Sequence, residues 1–365
     1  MTIPFRSAPF RTASGTASRT LSQRFSDVLN VKDYGAVGDG VTNDAAAIQA
    51  VFDLAFGSAS SPHGDAGKYQ NRPVFFPAGK YIISSQLNLT RVVGGHIFGA
   101  GRGCTMVQFT GTVAGGGTRT SAIKINGAVD LCMERIAFAM YDPSKSNSYA
   151  LDLDWDGTTG GAGLHHNLFQ HCTFSATGTG AVIIGASVHE GYNNMFLHCG
   201  VGGGIGAVNY GFTISGAQAL DTLIIGGGGY SDLAFCWCPS GGGSVHAQGM
   251  SMPGGNTAPH VDYLMESGNT MTLTGIRTEA VKLLKQQSGI VIIHGFVNAG
   301  GVNIIEVNGG KCMIEGAQMH YPINQRIFGT GGQLYMTAVG TGVPNDIHLL
   351  DNYTGTVVWD ADGYP

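Results

Sequence analysis

Residues 167–172 read NLFQHC, residues 194–199 read NMFLHC, and residues 221–226 read DTLIIG. Their starts are evenly spaced, since 194 − 167 = 27 and 221 − 194 = 27. Later blocks are shorter: MTLTGIR from Met271, VIIHGFV from Val291 and CMIEGAQ from Cys312. Their glycines are Gly275, Gly295 and Gly316, with 295 − 275 = 20 and 316 − 295 = 21. Each block has a short apolar partner ahead of it, such as FTIS at Phe212, YLME at Tyr263, KLLK at Lys282 and NIIE at Asn303. A unit of this size cannot bury its own apolar face, so neighbouring units must stack. The repeat therefore predicts a β-solenoid. About ten coils fit between Val92 and Val358, giving a rod of roughly 50 Å at ~4.8 Å per coil.

Composition agrees. Glycine is 59 of 365 residues, about twice the usual ~7%, and charged residues are 12%, about half the usual ~25%. The formal charge of −5 gives no reason to expect a nucleic-acid or anionic-membrane partner. No apolar run is long enough to span a bilayer as a helix. Residues 1–29 lack the ~7–15-residue apolar stretch of a signal peptide. The seven cysteines form no tight framework and read as buried thiols.

One segment breaks the β rhythm. Gly35, Gly38 and Gly40 punctuate a polar loop that ends at Thr42 or Asp44, either of which can cap a helix. After it, Ile48, Val51, Phe52 and Ala55 share one face of a helix over residues 45–56. A lone amphipathic helix ahead of a stack of strands suits the stack's open end. No such helix closes residues 347–365, so that end is expected to be covered by its own turns or by another chain.

These residues carry a resemblance. NVKDYGAVGDGVTNDAAAIQAVFD from Asn30, PVFFPAGKYII from Pro73 and IFGAGRGCTMV from Ile97 resemble the pectate-lyase-like superfamily of single-stranded right-handed parallel β-helices. RTLSQRFSD from Arg19 runs straight into that opening, a junction similar to the β-helix entry of bacteriophage tailspike and tail-fibre proteins. The resemblance covers about residues 19–107. It implies an all-β, right-handed parallel β-helix with one N-terminal capping α-helix. The expected division is an arm or adaptor over 1–29, a capping segment over 30–91 and the β-helix over 92–365. It further implies a phage or prophage homotrimer in the virion tail, assembled in the host cytoplasm. Its arm, with Arg6, Arg11, Arg19 and Arg24, would dock on other tail or baseplate proteins, with a flexible basic tail as the competing reading. The implied partner is a host surface polysaccharide, which the spike recognises and, if catalytic, depolymerises. The alternatives are a non-catalytic glycan-binding adhesin and a lyase or glycosidase unrelated to phage.

Residues 151–157, LDLDWDG, offer the most pointed chemistry. On a strand, Leu151, Leu153 and Trp155 face the core, so Asp152, Asp154 and Asp156 form an outward stripe. Pairing Leu153 with Ile184 sets Gly185 and Ser187 beside the carboxylates, leaving space for a sugar ring. Glycoside cleavage needs two carboxyl groups ~5–9.5 Å apart. The candidate catalytic residues are therefore Asp154 and Asp156 with Glu190 from the next coil, and a solvated acidic face is the competing reading. Asp152, His189, Tyr192, Arg277 and Glu279 are the candidate substrate-binding residues. The Arg277/Glu279 pair could serve a β-elimination, or be a simple surface ion pair.

No metal and no cofactor is expected. The stretch from Asp152 spells D-x-D-x-D-G, but the twelfth position of a calcium loop would be Gly163 rather than Glu. His171–Cys172 and His198–Cys199 look like a zinc quartet, yet adjacent strand residues point opposite ways, so stacked ladders are expected instead. The chain lacks the Asn-Thr-Asp, Asp-Asp and Arg-Ile-Lys signatures of polygalacturonases and the Tyr-Gly-Phe-Asp-Pro-His-Glu of alginate epimerases.

Overall fold

The computed structural model describes residues 9–10, 19–58, 61–62, 71–112, 119–141, 147–155, 157, 163–185, 191–202, 208–252, 260–279, 282–298, 305–319, 327–337, 339 and 350–359. They form a parallel β-helix, right-handed as parallel crossovers require, with its strands in three sheets. The long sheet threads thirteen strands on one path, from Leu29–Asn30 to Thr356–Trp359. Two of these precede residue 92, which leaves eleven rungs where about ten were expected. A second sheet has twelve strands and a short sheet seven.

Parallel register explains the change of period. Leu168 pairs with Met195, so that 195 − 168 = 27. Further along, Thr274 pairs with His294 and His294 with Glu315, where 294 − 274 = 20 and 315 − 294 = 21. The short sheet ends at Gly228–Tyr230. Beyond it, single long strands, Thr270–Thr278 and Ile290–Asn298, bend at Gly275 and Gly295 and serve two sides of the coil. Those glycines belong to one corner column. Arg135, His171, His198, Gly226, Gly249, Gly275, Gly295 and Gly316 follow the same rung position and all have φ between 50° and 65°.

The third hexapeptide is corrected by one position. Met195 pairs with Leu223, where 223 − 195 = 28, so Thr222 and not Asp221 lies above Asn194. A one-residue slip changes the face a side chain meets. Thr222 is buried in the column of Asn167 and Asn194, and Asp221 projects outward beside Asn193. The two asparagines form an internal ladder: Asn167 donates to Ala128 O and to Asn194 Oδ1, both at 2.8 Å, and Asn194 donates to Leu164 O at 2.9 Å. Phe169 and Phe196 stack at 4.8 Å in the core. Cys172 and Cys199 are buried while His171 and His198 stack outside at 5.5 Å, so the four do not converge.

The capping helix is Ala45–Phe56. Ile48, Val51, Phe52, Ala55 and Phe56 are completely buried against the first coils. Phe52 lies 6.1 Å from Phe76 of the first long-sheet rungs. Asp44 occupies the N-cap position, but its carboxylate does not cap the helix. It accepts from Val37 N at 2.7 Å and Gly38 N at 3.1 Å and so pins the glycine loop. Gly35, Gly38 and Gly40 take φ of 101°, 69° and 81°, where a side chain would be strained. Two short helical turns, Leu21–Phe25 and Val31–Tyr34, precede the cap. Arg19 holds Asp27 through both carboxylate oxygens at 2.8 and 2.5 Å, which ties the entry strand to the first rung.

Candidate functional site

The strand Ser148–Asp154 sits in the second sheet between Thr120–Val129 and Gly180–Ile184. Its alternation is as expected: Leu151 and Leu153 are fully buried and Trp155 nearly so. Leu153 pairs with Ile184, as expected. The outward side, however, is not a solvated stripe. Asp152 is 1% exposed and Asp154 has a side chain only 13% exposed.

What covers them is cationic. Lys124 is the register partner of Asp152 on the previous rung, and its ammonium lies 3.2 Å from Asp154 Oδ2. Arg119, immediately before the strand Thr120–Val129, reaches both carboxyl groups. Its Nε is 3.5 Å from Asp152 Oδ2, and one terminal nitrogen donates to Asp154 Oδ2. Gly185 on the next rung makes room for Arg119 rather than for a sugar. A Cβ on Gly185 would overlap the guanidinium of Arg119, and one on Gly180 would lie 2.7 Å from the ring of Tyr149.

Asp152 is the unusual member. Neither of its oxygens accepts a hydrogen bond, although both are buried. Burial pushes its pKa up to about 6; Arg119 and Lys124 pull the other way, and Asp154 adds to the rise. A carboxyl of that kind exchanges its proton near neutral pH, as a general acid or base must. Tyr149, earlier on the same strand, has a buried phenol pushed up to about 12 by desolvation. The cluster thus holds a titrating carboxyl, a carboxylate paired to two cations, and a neutral phenol.

The other candidate residues lie elsewhere. Asp156, His189 and Glu190, like Ser187, lie outside the described residues. Tyr192 stacks on His165 at 4.8 Å and meets His166 edge-on at 5.7 Å, beside a groove on the long sheet. Arg277 and Glu279 form an exposed ion pair at 2.6 Å in the long sheet, several rungs on. Among the described residues no cluster of His, Cys, Asp and Glu could hold a metal ion. Sequence reasoning missed Arg119, Lys124 and Tyr149. Only the rung-to-rung register of Lys124 with Asp152, which no local motif marks, would have found the lysine.

Comparison with known proteins bears on the family and the fold. A 128-residue segment, 35% of the chain, is 32% identical to mannuronan C5-epimerase AlgE4 of Azotobacter vinelandii, and the match spans 19% of that protein. The chain likewise spans 11% of mannuronan C5-epimerase AlgE5 from the same organism, at 33% identity. It therefore spans less than a fifth of these curated relatives. Among solved structures, ORF18 of Geobacillus virus E2 matches 93% of the chain and 62% of its own, at 14% identity and a TM-score of 0.48. The Dettilon tailspike protein gp208 matches 87% of the chain and 63% of its own, at 11% identity and the same TM-score. At those values neither likeness speaks to function. The decisive match is to the model of rhamnogalacturonase A/epimerase, pectate-lyase-like proteins, over residues 28–218. Since that is just over half of the 365 residues, the chain belongs to the rhamnogalacturonase A/epimerase, pectate-lyase-like family.

Proposed function

We propose that the protein recognises a surface polysaccharide along the second sheet and cleaves it at the Asp152–Asp154 site, in the manner of a tailspike depolymerase. The carrying observation is Asp152 itself. A carboxyl that is 1% exposed, accepts no hydrogen bond and titrates near 6 costs the fold stability at neutral pH. Packing alone gives no reason to keep it, whereas a proton donor to a glycosidic oxygen needs such a pKa. Asp154, held by Arg119 and Lys124, supplies the charged partner that hydrolysis requires. Family membership, and the epimerases named among the relatives, support a carbohydrate chain as the ligand. The junction at residues 19–44 supports a virion protein that adsorbs to a host, assembles as a homotrimer and docks through residues 1–29.

A second reading, recognition without cleavage, is favoured by the same 1% exposure, because an acid that substrate cannot touch cannot donate. The two separate in one assay. Purified protein is incubated with neutral and uronate-containing bacterial surface polysaccharides, and released reducing ends are counted. The expected result is chain cleavage by the wild type and loss of cleavage, with binding retained, in Asp152→Asn and Asp154→Asn. Binding by the wild type with no release of ends selects the adhesin reading.

A further inference from the structure

We propose that a groove on the outer face of the long sheet is a separate carbohydrate subsite, built for a neutral segment of a polysaccharide. This rests on the polysaccharide reading above but not on the Asp152 chemistry. The groove encloses about 630 Å³. Its floor is Leu168, Met195 and Leu223, register partners on three successive rungs, each half-buried. Apolar side chains repeating every ~4.8 Å match, about one per rung, the apolar C–H faces of successive pyranose rings.

The rim is polar. Asp130, His166, Asn193 and Asp221 occupy the same corner on consecutive rungs, with φ of 56°, 59°, 55° and 52°. Gly94 takes this corner one rung earlier, at 66°, with no side chain to strain. Asp, Asn and His tolerate the left-handed region better than most residues, but glycine adopts it freely. Four rungs in a row thus carry side chains where glycine fits best, and three of those side chains line the groove. His246 completes the rim 3.3 Å from Asp221, and His166 lies 3.9 Å from Asp130. These groups offer donors and acceptors at the edges of a ring whose face rests on the floor.

Charge narrows the ligand. Among the described residues no Lys or Arg lines the groove, and Asp221 on its rim is exposed, so a uronate would be repelled. A second copy of the chain is the competing occupant. It would bury the side chains of Asp130 and Asp221, 66% and 58% exposed, at an interface core where charges are disfavoured.

Titration calorimetry with neutral cello-, malto- and chito-oligosaccharides and with an oligouronate tests the proposal on wild type, Asn193→Gly, Met195→Glu and Asp152→Asn. Asn193→Gly keeps the backbone and removes one rim group; Met195→Glu charges the floor. At least one neutral oligosaccharide should bind the wild type, and both groove variants should weaken it roughly tenfold, ~1.4 kcal/mol. Asp152→Asn should bind that oligosaccharide like wild type even if it loses cleavage, which separates this subsite from the acid site. The proposal is overturned if no neutral oligosaccharide binds, or if the bound one ignores both groove variants. It is also overturned if Asp152→Asn abolishes that binding. A Met195→Glu protein that changes its number of chains per particle instead of its affinity would overturn it too, by making the groove a subunit contact.

Discussion

Asp152 couples stability to pH in a direction that its surroundings dictate. Its carboxyl is raised from 3.8 to about 6, so the folded state prefers the protonated form. The contribution is fully favourable below the unfolded value and is lost as pH rises from about 4 through about 6. The loss totals about 3 kcal/mol, a shift of about two units at about 1.36 kcal/mol each. Asp152→Asn removes the charge and keeps the shape. Thermal melts should therefore show the variant gaining on wild type at pH 8 and matching it near pH 4. A variant less stable than wild type at pH 8 would mean that Arg119 stabilises the charge more than burial opposes it. The alternation of LDLDWDG was readable from the residues, since strand periodicity needs only local order. The burial of Asp152 was not, because Arg119 lies on the previous turn of the chain and reaches it only through the stacking of rungs. The corner column shows the same divide: Gly275, Gly295 and Gly316 announced it, while Arg135, His171 and His198 hold the same conformation without a glycine to signal it.

The capping helix was legible to the residue, because a helical apolar period is a local property and its start is marked by a glycine loop. Its energetics follow from burial. Phe52 is fully enclosed, 6.3 Å from Phe56 and 6.1 Å from Phe76. Phe52→Ala should cost about 3–5 kcal/mol, read as a lower denaturation midpoint, with amide exchange rising first in the N-terminal rungs. Loss below about 1 kcal/mol would mean that the helix lies on the stack without closing it. Strand register was less legible. The even spacing of the hexapeptides held for one step, and a single extra residue in the next turn moved Asp221 to the surface and Thr222 inside. Turn insertions leave no mark in the apolar pattern, yet here one decides which residue joins the groove rim.

At the scale of the whole molecule, the thirteen rungs of the long sheet make a rod of roughly 60 Å at ~4.8 Å each. With 12% charged residues and a net charge of −5, the rod has little self-repulsion to oppose side-by-side packing. Light scattering coupled to size exclusion should report three chains per particle, and a monomer at micromolar concentration would contradict the spike assembly. If Asp152 donates a proton during glycan cleavage, as proposed, the rate of cleavage follows its titration. Reducing-end release by wild type should fall about tenfold per unit above about pH 6, following the titration of Asp152. Asp152→Asn should be inactive at every pH while still binding the glycan. A rate that climbs through pH 6, or an Asp152→Asn protein that cleaves like wild type, would contradict the assignment.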